Sequence, residues 1–155
     1  MVVTRAARAG DFARLIHWVS DAPAMYLFAG PSLTWPPTVA QFEEISKRPG
    51  LSAWMVAGDD HQQAWGHFDL TVHGDSARLG RVIIDPRYRG QGLGHTLTRA
   101  AIDKARELGV AEVRLAVVAD NEPAVKSYRR AGFTEFVDPE RPLFTAMTYR
   151  ISERA

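Results

Sequence analysis

The chain has 155 residues, of which 46% are hydrophobic and 24% charged, with a net charge of +1 and no cysteine. This composition is that of an ordinary globular protein and predicts a single domain over residues 1–155 in the cytoplasm, while the near-neutral charge argues against nucleic acid or a membrane surface as partner. Disulfides and thiol chemistry are excluded, and no apolar run approaches the roughly 20 residues of a membrane span.

The first elements are a short strand and two helices. Residues 2–6 predict a strand, and Asp11 is the predicted N-cap of a helix that ends near Val19. Thr38–Gln41 matches a capping box and opens a second helix through about Lys47.

Residues 21–37 lie between these helices, contain four prolines and are predicted to form a loop. Tyr26, Phe28 and Trp35 are large side chains for such a segment. The loop either packs over the core or walls a substrate site, since loops on a rigid scaffold often carry binding residues. We therefore treat these three aromatic residues as candidate acceptor contacts.

Three consecutive strands follow, at residues 52–57, 63–72 and 77–84, with turns at 58–60 and 73–75. Such a run of short connections predicts an antiparallel meander.

The second half alternates helices and strands. A helical stripe covers residues 92–108, a strand 112–118, a helix 121–131, and two strands 133–137 and 144–151. Because a helix separates the strand at 112 from the strand that ends at Ile84, the two are predicted to run parallel. The fold class is therefore mixed α/β, with about seven strands and four helices.

An anion site is predicted where the strand of residues 77–84 leads through a glycine-rich turn into a helix. Gly90, Gly92 and Gly94 would let a phosphate approach the free N–H groups of the helix start. The turn lacks the Lys-Ser/Thr of a P-loop, and Leu97 stands where a dinucleotide fingerprint needs its last glycine.

A second motif narrows the choice of ligand. Arg89-x-x-Gly92-x-Gly94 is followed by Asn121-x-x-Ala124-x-x-x-Tyr128-x-x-x-Gly132-Phe133. Together they resemble the GCN5-related N-acetyltransferase (GNAT) superfamily, and the order of elements agrees over essentially the whole chain. The resemblance implies the GNAT fold, with a parallel strand pair splayed apart at the cosubstrate acetyl-CoA.

The resemblance also implies roles for individual residues. The backbone amides of the turn would hold the pyrophosphate: Arg89, Gly90, Gln91, Gly92, Leu93, Gly94 and His95. Val82, Ile83 and Ile84 would pair with the pantetheine arm, and Asn121 would bond to that arm or serve only as a helix cap. Tyr128 would protonate the CoA thiolate, although a tyrosine packed in the core is the alternative.

The base that deprotonates the amine is not evident. His67 and Asp69 share a strand face with Trp65 and Thr71, and either could act as base or bind a cationic amine. A solvated outer face is an equally good interpretation of this polar set.

The predicted function is acetyl transfer from acetyl-CoA onto the primary amine of a small molecule or peptide, by direct attack. The alternatives are a non-catalytic acyl-CoA-binding module and a nucleotide-binding protein using the same turn. No metal is predicted, because His17, His61, His73 and His95 show no ligand spacing. A homodimer is possible by analogy with relatives.

Overall fold

The computed structural model describes residues 2–59 and 63–151. Its seven strands form one sheet: β1 Val3–Ala6, β2 Leu51–Ala57, β3 Gly66–His73, β4 Ser76–Ile84, β5 Glu112–Val118, β6 Thr134–Phe136 and β7 Phe144–Arg150. Their order is β1-β2-β3-β4-β5-β7-β6, and of these neighbouring pairs β4–β5 is the parallel one. The predicted meander and parallel crossover are therefore confirmed. Asp60 of the predicted 58–60 turn and His61 lie outside the described residues.

The described residues contain five α-helices: α1 Ala9–Trp18, α2 Ala22–Ala29, α3 Val39–Ser46, α4 Leu93–Glu107 and α5 Glu122–Arg130. Short 3-10 turns follow at Gly30–Ser32 and Pro86–Tyr88. None of the helices in the described part of the chain combines the length and apolar character needed to cross a bilayer.

The predicted count of four helices was wrong, because α2 forms inside the segment expected to be a loop. Pro23 lies in the first turn, where its missing N–H costs no hydrogen bond. Asp21 caps this end by accepting from the Ala24 N–H at 2.8 Å, and Gly30 ends the helix with a φ of 58°. The residues interpreted as helix breakers therefore mark its two boundaries.

The N-cap of α1 is Arg8 rather than the predicted Asp11. Asp11 lies in the first turn, where its carboxylate accepts from the Arg8 N–H at 2.8 Å and pairs with Arg5 at 2.7 Å. A carboxylate inside the first turn also stabilises the positive end of the helix dipole.

Two hydrophobic clusters lie on opposite faces of the sheet. The first joins α4 and α5 to the sheet through residues such as Phe68, Leu70, Leu97, Ile102, Val125 and Met147. The second joins α1, α2 and α3 through residues such as Phe12, Leu15, Met25, Phe42, Met55 and Ile83. Both faces of the central strands are therefore covered.

The polar residues of β3 are consequently buried. His67 is paired with Met55 and Ile83, so it shares the face of the second cluster. His67 and Asp69 expose only 1% and 2% of their surface, which makes the solvated-face interpretation wrong. Trp65 was predicted to share their face, but it precedes the strand and packs in the first cluster.

Candidate active site

The centre of the sheet opens where β4 and β5 separate. Their pairing is confined to Ser76–Arg78 opposite Glu112–Arg114, after which neither strand bonds to the other. A cavity of about 250 Å³ lies between them, lined by Leu79, Gly80, Arg81, Val82, Leu115, Ala116 and Val117. The strand edges that face this cavity carry backbone groups without ladder partners, as the predicted splay requires.

A β-bulge in β4 borders the cavity. His67 is paired with Ile83 and Asp69 with Gly80, so two residues of β4, Arg81 and Val82, stand opposite one residue of β3. Arg81 has a φ of 44°, a conformation that non-glycine residues seldom adopt. The bulge takes its backbone out of the regular ladder, which is common beside functional sites.

The glycine turn lies at the C-terminal end of β4. Gly90 and Gly92 have φ angles of 79° and 76°, and Gly92 is the N-cap from which α4 begins. A Cβ built on either glycine would meet nothing within 4 Å, so open space lies against this backbone. The first N–H groups of α4 therefore face an accessible concavity, with Gln91 and His95 exposed around it.

The arginines of this turn differ in how they are used. Arg87 forms an ion pair with the buried Asp85 at 2.8 Å, and this guanidinium lowers the pKa of Asp85. Arg89 instead donates to the Ile84 carbonyl at 3.2 Å and lines a second cavity of about 540 Å³. Of these two arginines, Arg89 is therefore the one whose charge is available near the predicted pyrophosphate site.

The second motif brings Asn121 and Tyr128 to the same cavity. Asn121 caps α5 by accepting from the Ala124 N–H at 3.4 Å, so its predicted capping role is confirmed. Tyr128, two helical turns later, lines the 250 Å³ cavity together with Asn121, Gly94 and Ser127. Burial raises the pKa of Tyr128 to about 12, which keeps its hydroxyl protonated at neutral pH.

The helix α2 borders these cavities. Phe28 and Leu27 line the two cavities already described and a third one of about 90 Å³. Tyr26 lines the third, where its ring lies 6.4 Å from that of Phe144. Trp35 lines none of these three cavities. Leu27 was missed from the sequence because the segment was predicted to be a loop and its facing side chains could not be assigned.

A buried polar network supports the bulge from the α2 side. Both carboxylate oxygens of Asp69 accept hydrogen bonds from the Arg81 guanidinium, which also donates to Ser32 at 3.2 Å. Because a carbonyl can only accept, the Nδ1–H of His67 donates to the Arg81 carbonyl at 2.7 Å. The two predicted base candidates are thus brought together, but both are occupied in holding Arg81.

The electrostatics of His67 agree with this role. Burial lowers its pKa, outweighing the opposite effect of Asp69, so the ring is neutral. Its Nε2 is buried and has no hydrogen-bond partner among the described residues. Arg81 itself was not predicted as a site residue. The sequence feature that could have indicated it is a single arginine between Gly80 and an apolar run.

The chain resembles known proteins in sequence and in fold. The sequence profile of the Acetyltransferase (GNAT) family matches residues 12–133. The chain belongs to the GNAT acetyltransferase family. Its fold is shared with a GNAT enzyme of known structure, a spermidine N-acetyltransferase from Vibrio cholerae in complex with CoA and spermine. That structure superposes with a TM-score of 0.76 at 21% identity, covering 96% of this chain and 95% of the other.

Two curated relatives are similar in sequence as well. A putative [ribosomal protein bS18]-alanine N-acetyltransferase from Bacillus subtilis is 30% identical over 74% of this GNAT chain and 75% of its own length. A mycothiol acetyltransferase from Rhodococcus jostii is 31% identical over 79% of this chain but only 45% of its own length. The chain therefore spans less than half the length of that relative.

Proposed function

We propose that the chain transfers the acetyl group of acetyl-CoA onto a primary amine. The observation that carries this proposal is the splayed β4–β5 pair, whose cavity is lined from one side by the bulge residues Arg81 and Val82 and from the other by Asn121 and Tyr128. The glycine turn follows the C-terminal end of β4, and Gly94 from the start of α4 lines this cavity together with Tyr128, which supports a diphosphate site and a proton donor close to each other.

The residues present fit acetyl-CoA. The open backbone from Arg89 to His95 would hold the pyrophosphate. The unpaired edge of Val82, Ile83 and Ile84 would pair with the amides of the pantetheine arm, and Asn121 would add a side-chain bond. The bound cosubstrate supplies an activated acetyl thioester.

Tyr128 is the proposed general acid. Its raised pKa keeps the phenol protonated, and no hydrogen bond to its hydroxyl is found within the described residues, so the proton is available for the leaving sulfur. Backbone N–H groups near the bulge would polarise the acetyl carbonyl. Proximity of the two bound reactants supplies much of the remaining acceleration.

The amine is proposed to react in its neutral form. Among the described residues, no aspartate, glutamate or histidine lines the 250 Å³ or the 540 Å³ cavity, and His67 and Asp69 are engaged with Arg81. The acceptor would then lose its proton to water. We expect kcat/KM to rise with pH along the titration of the amine itself, and this rise should move when amines of different pKa are compared.

The reaction is tested by measuring thiol release from acetyl-CoA with a panel of amines. The native chain and the variant Tyr128→Phe are compared. We expect kcat to fall by about 100-fold, the lower end of the usual effect of a general acid, while stabilisation by CoA persists. Tyr149→Phe is the matched control, because Tyr149 also packs against Phe133 but lines neither of the two central cavities.

A non-catalytic acyl-CoA-binding module is the second candidate. It is favoured because no carboxylate among the described residues lines the two cavities, where a general base would be needed. It predicts CoA binding without thiol release for every amine. A nucleotide-binding protein would be stabilised by ATP at least as strongly as by CoA. Turnover that is unaffected by Tyr128→Phe would show that Tyr128 is not the general acid, and it would not contradict the transfer reaction.

A further inference from the structure

A group of arginines lies at the N-terminal end of β4, away from the glycine turn. A cavity of about 570 Å³ there is lined by residues from five parts of the chain, including Arg48, Arg78, Arg81, Arg141, His73 and Thr71. We call this surface the arginine basin. Because the glycine turn follows the other end of β4, the basin is not the pyrophosphate site.

The positive charge of the basin is not balanced within the described residues. Arg48, Arg78 and Arg141 have no carboxylate within ion-pair distance in the parts of the chain at 2–59 and 63–151. Asp69 is taken by Arg81, and Asp138 accepts from the Glu140 N–H of its own turn. Four arginines face these two carboxylates, so the basin keeps a net positive charge even when both carboxylates are counted.

Arg78 gives the strongest indication of an anion site, because its side chain is half-buried and has no ion-pair partner among the described residues. Burial lowers its pKa, and the neighbouring Arg141 and Arg81 lower it further against smaller opposite effects of Asp138 and Asp69. A desolvated guanidinium surrounded by like charges is costly unless an anion accompanies it. Arginine also matches carboxylate and phosphate oxygens in a bidentate geometry.

The basin shares lining residues with the cavity where acetyl transfer is proposed and with the 90 Å³ cavity. Arg81 lines the 250 Å³ cavity, the 90 Å³ cavity and the basin. Gly80 lines the first two, and Arg78 and Arg141 line the last two. A molecule whose amine enters the β4–β5 cavity would therefore have its far end among these arginines.

We propose that the amine acceptor carries an anionic group, a carboxylate or a phosphate, that binds to Arg78 and Arg141 in the basin. This inference rests on the proposed acetyl transfer and names its substrate class. Polyamines are excluded as good acceptors, because their second ammonium group would lie among arginines.

The positions along β4 set the distance between the amine and the anion. Arg78 precedes the bulge residue Val82 by four residues, which span at most roughly 13 Å because the bulge departs from the extended conformation. An α-amino acid, whose two groups are joined by one carbon, is too short to reach both places. The acceptor therefore holds its anion several bonds from the amine.

The test compares matched acceptors that differ only in the far group. We would measure kcat and KM for 6-aminohexanoate and hexylamine, for a corresponding aminoalkyl phosphate, and for glycine and spermidine. We expect kcat/KM to be about tenfold or more higher for one of the two long anionic amines than for hexylamine, mainly through KM. The carboxylate and phosphate arms distinguish the two sources of negative charge.

Arg78→Gln and Arg141→Gln should remove most of this preference without changing KM for acetyl-CoA. Arg78→Lys should restore part of it, which separates charge from folding. Arg130→Gln, at an exposed site in the last turn of α5, is the matched control and should keep the preference. Equal turnover of hexylamine, better turnover of spermidine, or an unchanged preference in a variant that combines Arg78→Gln with Arg141→Gln would overturn the inference.

A binding measurement separates this inference from the proposed reaction. Calorimetry on the CoA-bound protein would compare N-acetyl-6-aminohexanoate and the N-acetylated aminoalkyl phosphate with N-acetylhexylamine, and needs no turnover. Tighter binding of either anionic product, lost in Arg78→Gln, supports the basin even if every amine fails to react. Equal binding of all three contradicts it even if acetyl transfer is observed.

Discussion

The two ends of β4 carry different kinds of site. At the C-terminal end, the glycine turn is a run of neighbouring residues whose chemistry lies in backbone N–H groups and left-handed φ angles. At the N-terminal end, Arg78 and Arg81 meet Ser32, Asp69 and Arg141 from distant parts of the chain. The first site depends on local conformation and the second on the assembled fold, so they should fail in different ways when mutated.

The largest effect is expected at the assembled end, from Asp69→Asn. The change leaves the Arg81 guanidinium, whose side chain is only 12% exposed, without a counter-charge. Removing one partner of a buried ion pair typically costs about 3–5 kcal/mol in the free energy of unfolding. Urea denaturation would measure this loss.

Asp103→Asn is its matched control, because Asp103 forms an ion pair with Arg106 at 2.8 Å on the exposed side of α4. An exposed pair contributes less than about 1 kcal/mol. Equal losses in the two variants would mean that the Asp69–Arg81 pair does not hold the bulge.

A smaller effect on stability, but a specific one on binding, is expected from Gly92→Ala at the local end. A non-glycine residue in the left-handed region costs roughly 1–2 kcal/mol. Gly109, which follows α4 with a φ of 83° and equally open surroundings, should lose similar stability when changed to alanine. Only Gly92→Ala should weaken CoA binding, on the order of tenfold, measured by calorimetry. Equal weakening in both variants would place the pyrophosphate elsewhere.

The same contrast explains what the sequence could predict. Gly90, Gly92, Asn121 and Tyr128 belong to two short motifs, and each motif is fixed by spacing along one strand–helix connection. The cavity between β4 and β5 brings Gly94, at the end of the first motif, together with Asn121 and Tyr128 of the second. The placement of Phe68 and Asp69 on opposite faces of β3 could likewise be predicted from the two-residue period of a strand alone.

What could not be predicted depends on distant contacts. Ser32 and Arg81 are 49 positions apart, and nothing local in the sequence says that α2 lies over β4 and brings them together. The bulge at Arg81 changes the register of only one strand, so the hydrophobic pattern on either side is unaltered. The helix α2 itself was hidden because its prolines and apolar residues give no clear helical period.

A pH-dependent effect on stability is expected from His67, which joins the bulge to β3. Because burial lowers its folded-state pKa below the ordinary value of 6.5, the unfolded chain binds the proton more readily. The stabilisation is therefore fully present above pH 6.5 and is lost as the pH falls. The limiting slope is about 1.4 kcal/mol per pH unit. Asp11, Asp85 and Glu112, whose pKa values are also lowered, act only at more acidic pH.

The free energy of unfolding, measured by urea denaturation between pH 7.5 and 5, should decline in the native chain and stay nearly level in His67→Gln. Glutamine can still donate to the Arg81 carbonyl, so this variant removes the titration while keeping a donor at the bulge. His17→Gln, which replaces an exposed histidine of α1 in the same way, should keep the native decline. A decline that persists in His67→Gln would show that another group controls the acid sensitivity, and that the bulge is held by the Asp69–Arg81 pair without help from His67.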